Sequence, residues 1–136
     1  MDTFELEIVT PEKLVVKDSA EEIQIPGKNG YLGVLPGHAP LITELSVGEI
    51  TYRSAGVTFS LAVAWGFAEV LPTKVTILAE SAERPEEIDV PRAQAAKQRA
   101  EEWLKNPEGD VNRAMNALKR AEVRLEVAQK AGARAK

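Results

Sequence analysis

The chain has 136 residues, 44% apolar and 28% charged, with 17 Lys and Arg against 21 Asp and Glu for a net charge of -4. That length allows one domain, or one small domain with an appendage, and the composition is that of a globular chain. There is no Cys and a single His, His38, which excludes disulfides, zinc–thiolate centres and cysteine nucleophiles and leaves any triad or His-rich metal site resting on one residue.

Phe4, Leu6 and Ile8 alternate with Thr3, Glu5 and Glu7 and predict a half-buried strand of period two. Further apolar stretches predict strands at 14–16, 22–25, 31–35, 41–45, 49–53, 57–63, 67–71 and 74–78. Turn signals lie between them: Thr10-Pro11, Pro26-Gly27, Asn29-Gly30, Pro36-Gly37, Val47-Gly48, Ala55-Gly56 and Pro72-Thr73. Many short strands with frequent turns indicate an antiparallel sandwich or barrel. Gly27-Lys28-Asn29-Gly30 reads as a hairpin loop. It is no phosphate loop: the upstream glycine is missing, and Asn29 stands where Ser or Thr would hold magnesium.

The period changes near residue 88. Glu83-Arg84-Pro85-Glu86-Glu87 reads as a polar linker, and Asp89 as the N-cap of a helix with Pro91 in its first turn. Ala93, Ala96, Ala100 and Trp103 form one helical face. Lys105-Asn106-Pro107-Glu108-Gly109 breaks that helix, and Asp110 caps a second, where Ala114, Leu118, Ala121, Leu125 and Ala128 repeat as a heptad seam. The expected fold class is β + α: an N-terminal antiparallel β-sandwich, residues 1–84, then a C-terminal antiparallel two-helix hairpin, residues 85–136. A seam of alanine buries little apolar area, so the hairpin is marginal alone and is either able to open or permanently docked.

The net charge hides a division. Residues 111–136 hold seven bases (Arg113, Lys119, Arg120, Arg124, Lys130, Arg134 and Lys136) against two acids, Glu122 and Glu126, a balance of +5. The other 110 residues carry 10 bases and 19 acids, a balance of -9. Such asymmetry points either to an acidic or phosphorylated partner or to a solvated helix face beside an acidic body. The longest apolar run, 61–68, falls short of the roughly 20 residues that span a bilayer. The acidic start Met1-Asp2-Thr3-Phe4-Glu5 is unlike a secretory signal, so the chain is expected to work in the compartment where it is made.

Gly30-Tyr31-Leu32-Gly33-Val34-Leu35-Pro36-Gly37-His38-Ala39-Pro40-Leu41 resembles the G-E-L-G-I-L-P-G-H-A-P-L segment of the ε subunits of bacterial F-type ATP synthases. Gly66-Phe67-Ala68-Glu69-Val70 followed by Val75-Thr76-Ile77-Leu78-Ala79-Glu80 is similar to that family's G-G-F-x-E-V … V-T-I-L-A pattern. Ile88-Asp89-Val90-Pro91-Arg92-Ala93 is similar to its I/L-D-x-x-R-A helix start. The resemblance runs through essentially the whole chain. It implies a non-catalytic rotor subunit whose sandwich touches the γ subunit and the membrane c-ring and passes proton-driven rotation to the catalytic α and β subunits. The hairpin would fold onto the sandwich or extend along γ, the extended form blocking ATP hydrolysis. Its location would be the cytoplasmic face of a bacterial membrane, or the stromal face of a thylakoid, as a peripheral protein. Two positions depart from the family: Tyr31 replaces the acid of G-E-L-G, and Trp65 stands where a second Gly precedes G-F.

By the same resemblance, Tyr31, His38 and Leu41 are expected to face the c-ring and γ, and Arg113, Lys119, Arg120 and Arg124 an acidic loop of the β subunit. His38 is then either a pH-sensitive contact or a residue that fixes its loop. A regulatory ATP would sit on Glu83, Ile88, Asp89, Arg92, Ala93, Arg99, Arg120 and Arg124. Arg92 and Arg99 share one helix face, as do Arg120 and Arg124, a spacing that suits a phosphate clamp. Asp89 serves equally as a plain N-cap. No required cofactor and no metal are expected. Glu86-Glu87 and Glu101-Glu102 read as solvated surface, because adjacent helical residues do not share a face. The chain shows no constellation of nucleophile, base and orienting group, and its basic segment lacks aromatic platforms for nucleic acid. The alternative from another class is a free-standing ATP-sensing module, which would bind ATP tightly without γ.

Overall fold

The computed structural model describes residues 2–106 and 108–131; Pro107 of the predicted helix break and Arg134 and Lys136 of the basic run lie outside the described residues. Among the described residues are β1 (Phe4–Val9), β2 (Leu14–Ala20), β3 (Glu22–Gly27), β4 (Gly30–Val34), β5 (Leu41–Leu45), β6 (Gly48–Ser54), β7 (Val57–Val70) and β8 (Lys74–Glu83). A single 3-10 turn, Pro85–Glu87, leads into α1 (Val90–Leu104) and α2 (Val111–Ala128). The strands pair in the order β2-β1-β8-β7-β5-β3-β4, with β6 bridging β3 and β7. All pairs are antiparallel except β1 with β8, where the intervening strands form the long crossover that parallel pairing needs. Gly27 and Gly30 face each other across the predicted hairpin loop. β2 runs past its apolar start because Lys17, Asp18 and Ser19 pair with Glu7, Leu6 and Glu5, and the Asp18 carboxylate accepts a hydrogen bond from Ser54 Oγ at 3.0 Å.

The predicted strands 57–63 and 67–71 are one 14-residue strand, β7. What separates them in sequence is a corner. Trp65 and Gly66 both have positive φ, 50° and 128°. Before the corner Leu61 and Val63 join the core, and after it Ala68 and Val70 do, so the inward-facing parity switches from odd to even. The neighbours turn at the same level: the inward set passes from Leu45 to Ile50 and Tyr52 along β5 and β6, and from Ala79 to Ala82 along β8. The Trp65 N–H donates to the Ser46 carbonyl at 3.4 Å across this corner. The sheet thus folds over a core whose largest fully buried members include Phe4, Leu6, Ile8, Ile23, Ile25, Ile50, Leu61 and Ile77.

Asp89 and Asp110 start the helices by accepting from the Arg92 and Arg113 N–H groups, each at 3.1 Å. Ala93 and Ala100 of α1 and Ala114 and Ala121 of α2 are buried, as the predicted seam requires. Leu118 and Leu125 are only half-buried, and Trp103 is exposed. The heptad spacing leaves out a second face of α2: Val127 is fully buried with Ala62 and Ile88, and Val123 packs beside them with Ala128, the last residue of the seam. This contact explains why Leu61, Ala62 and Val63 are buried in succession. Leu61 and Val63 face the sandwich core, while Ala62 lies under the hairpin.

Gly66 admits no side chain. A Cβ built there would lie 1.9 Å from the Leu78 carbonyl oxygen, at a φ that L-residues rarely adopt. Gly66→Ala is therefore expected to lower unfolding stability by about 2 kcal/mol or more, read as a drop in the urea midpoint.

Candidate functional site

α1, α2 and the β7 corner enclose an open cavity of about 670 Å³, within the range of roughly 300–1,000 Å³ common for small-molecule sites. Arg92 and Arg99 of α1, Arg113, Arg120 and Arg124 of α2, and Trp65 of β7 line it. Arg92 with Arg99 and Arg120 with Arg124 share faces at the spacing read from sequence, whereas Arg113 joins them from the start of α2 and Trp65 arrives from the sandwich. A second cavity of about 400 Å³ adjoins it and shares Arg92, Arg120 and Arg124; its other wall holds Glu80, Glu83, Ser81 and Thr10. Among charged residues, the first chamber is lined mainly by cations, and the second by cations and carboxylates together.

The arginines are held differently. Arg124 makes a two-pronged pair with Glu83, Nε to Oε1 at 2.7 Å and Nη2 to Oε2 at 3.0 Å, with most of both side chains shielded from solvent. Arg120 lays its guanidinium 5.7 Å from the Trp65 ring centroid and donates to Ser81 Oγ at 3.4 Å. Arg113 lies 5.4 Å from the Trp103 ring centroid. Arg92 and Arg99 have no acidic partner among the described residues. Several like charges round one cavity raise its affinity for an anion.

The proposed ATP residues thus divide. Arg92, Arg99, Arg120 and Arg124 converge on the cavity, and Glu83 adjoins them. Asp89 is occupied as the α1 N-cap. Ile88 and Ala93 are buried in packing and offer no surface in this conformation, Ile88 against Val127 and Ala93 in the helix seam. Trp65 is the site residue that motif spacing misses. Its only sequence signal is a bulky aromatic where the resembling segment has glycine.

Tyr31 and His38 lie at opposite ends of β4. The Tyr31 hydroxyl accepts from the Glu49 N–H at 3.0 Å, beside the β5–β6 corner, while its ring stays exposed. His38 sits in the loop after β4, its N–H on the Leu35 carbonyl and its ring Nδ1 2.7 Å from the Ala39 carbonyl. A carbonyl only accepts, so Nδ1 carries a proton. Leu41, Ile42, Leu35 and Leu71 are exposed near this loop, where Gly37 N–H binds the Pro72 carbonyl. Of the four residues expected to face a β subunit, only Lys119 is both exposed and away from the cavity.

Two further ties hold the hairpin and its linker. Lys130, just past α2, pairs with Glu49 of β6. Glu87 accepts from the Arg84 N–H at 2.9 Å and pairs with Lys13 at 3.2 Å. The Arg84 amide first, and then Lys13, hold the Glu87 carboxyl below its ordinary value of 4.5.

The sequence profile of the ATP synthase delta/epsilon chain β-sandwich domain matches residues 3–85, and that of the family's long α-helix domain matches residues 86–129. The chain belongs to the ATP synthase delta/epsilon chain family. It is similar to the ATP synthase epsilon chain of Solibacter usitatus, 47% identical over 131 residues that make up 95% of this chain and 98% of that one. The Koribacter versatilis epsilon chain is 79% identical over 103 residues, 76% of this chain and 72% of the other. Among solved structures, a chain of the Euglena gracilis mitochondrial ATP synthase, in a complex of OSCP, F1 and c-ring, superposes with a TM-score of 0.81 at 25% identity, covering 93% of this chain and 81% of that one. As an epsilon-type member, the chain is a non-catalytic, central-stalk subunit of an ATP synthase. Among the described residues no helix is long and apolar enough to cross a membrane.

Glu83→Gln should leave the shielded Arg124 charge without its carboxylate and loosen α2, raising amide exchange along that helix by an amount equivalent to about 1–3 kcal/mol. A separate expectation concerns acid. The folded Glu87 titrates below 4.5, so its contribution is fully present above that value and lost as pH falls through the lower folded one. The protection factor of the Arg84 amide, its exchange rate relative to that of the unfolded chain at the same pH, should therefore fall as the pH drops below 4.5, and Glu87→Gln should abolish that acid step.

Proposed function

We propose that this subunit turns with the rotor of a proton-translocating F-type ATP synthase, passing rotation through its sandwich and restraining ATP hydrolysis through its hairpin. The partners are the γ subunit, the c-ring and the catalytic α and β subunits, with peripheral attachment at the cytoplasmic face of a bacterial membrane. Tyr31, His38 and Leu41 are the proposed c-ring and γ contacts. Exposed apolar side chains around the His38 loop, and Phe67 with Leu78 on the outer face of β7 and β8, support buried partner surfaces there.

The observation that carries the regulatory reading is the inward commitment of the basic helix. Arg120 binds Trp65 and Ser81, Arg124 binds Glu83 and Lys130 binds Glu49, all on the sandwich. Docked, these cations are withheld from other partners. Undocked, they are free with Arg113 and Lys119 to face an acidic loop on β, which is the braking state. Whatever stabilises docking relieves the brake. ATP does so in this reading, its phosphates taken by Arg92, Arg99, Arg120 and Arg124. It is a regulatory ligand and not a required cofactor.

All members of the main core lie in the strands, so residues 1–84 are expected to keep γ binding when the hairpin is removed. Added to an ATP synthase stripped of its epsilon chain, the full chain should slow ATP hydrolysis and the 1–84 form should not. No effect of the full chain, together with no γ binding, would overturn the proposal. Millimolar ATP should raise the unfolding free energy of the full chain, by about 2.7 kcal/mol at 100 times Kd, and leave 1–84 unmoved. ATP binding without any γ partner would favour a free-standing sensor instead.

A further inference from the structure

Trp65 is the outlier of the site. A bulky residue at φ 50° is strained, and glycine would meet the backbone demand of this corner without strain. Strain kept where the fold does not ask for the side chain points to a role for the side chain. The indole reaches the arginine cavity from the sandwich side, and the Arg120 guanidinium rests over its ring. A guanidinium placed against an aromatic face keeps its edge N–H groups available, and those edges grip phosphate oxygens in pairs. Ser81 Oγ takes one of them at 3.4 Å. Arg120 is thereby fixed on two sides before any ligand arrives, whereas Arg92 and Arg99 have no such support among the described residues.

We infer that Trp65 is a positioning residue for anion binding, holding Arg120 so that its free edge meets the phosphates of a polyphosphate ligand. The inference rests on the reading of the arginine cavity as a phosphate site, and it adds a residue for which the family pattern has glycine. Trp65 needs no contact with the ligand; it acts by removing the freedom that Arg120 would otherwise lose on binding.

The test is a double-substitution cycle on the full chain, with inorganic triphosphate and ATP as probes and calorimetry as readout. Trp65→Gly, which suits the backbone, should weaken both probes about five- to tenfold, and Trp65→Phe should restore most of the loss. Combined with Arg120→Gln, Trp65→Gly should cost nothing further. In a Trp103→Phe background, triphosphate should also change the emission of the remaining tryptophan. Full additivity of the two substitutions, or native affinity in Trp65→Gly, overturns the inference and leaves the arginine site standing. Faster exchange of α2 in ligand-free Trp65→Gly, equal to the loss in affinity, assigns Trp65 to docking alone and also overturns it. If the native chain binds neither probe, the phosphate site itself falls, and the inference with it.

Discussion

β7 can close the sandwich only by passing its backbone against β8, and Gly66 is where the two come too close for a side chain. Much else follows from that approach. The corner switches which residues of β7 face inward, so one strand serves both layers of the core. The adjoining strands must turn at the same level, which sets Ser46 against Trp65 and Ser81 against its neighbour Ala64. With Leu61 and Val63 turned into the core, Ala62 is left outside, small enough for α2 to lie close. Trp65 is carried to the same outer surface, where the arginines gather.

The hairpin is held by two unlike kinds of contact. Its own seam is alanine, which permits close approach and buries little area. Docking adds the valine face around Val127, then the Glu83–Arg124 and Lys130–Glu49 pairs and the Arg120 contact with Trp65. The apolar part is small. Its burial of a few side chains stabilises by a few kcal/mol at most, comparable to what a ligand or partner surface contributes. A contact of that size can be exchanged for a ligand or partner surface, which the proposed regulation requires.

The order of strands and helices was legible because alternation and heptad spacing are local, and both survive in this chain. The corner was not, since Trp65-Gly66 interrupts alternation in the way a loop does, and only the continued pairing of Ala64 with Ser81 and Gly66 with Ala79 reveals one strand. The end of β2 was hidden by Lys17-Asp18-Ser19, polar residues on an edge strand that bury nothing but still pair. Val123 and Val127 sit outside the alanine seam, and their burial depends on β7, which no spacing within α2 encodes. The arginines were named by the family resemblance, and helical spacing agreed by putting each pair on one face. Trp65 could be noticed but not placed, because its partner Arg120 is a tertiary neighbour.

The charge division between the acidic body and the basic helix acquires a physical meaning from these contacts. Two of the cations beyond residue 110, Arg124 and Lys130, pair with glutamates of the body, so the imbalance is partly spent within the molecule. Arg113 and Arg120 of α2 border one cavity together with Arg92 and Arg99 of α1, and none of these four has an ion-pair partner among the described residues. Mutual repulsion among them acts over a screening length of about 8 Å at physiological salt, and so opposes docking from within the hairpin. An anion in the cavity removes that opposition, while an acidic surface elsewhere removes it by drawing the helix away. The same arginines cannot satisfy both. In the proposed regulation, anions therefore compete for one set of cations, and the sandwich takes part through Glu83, Glu49 and Trp65.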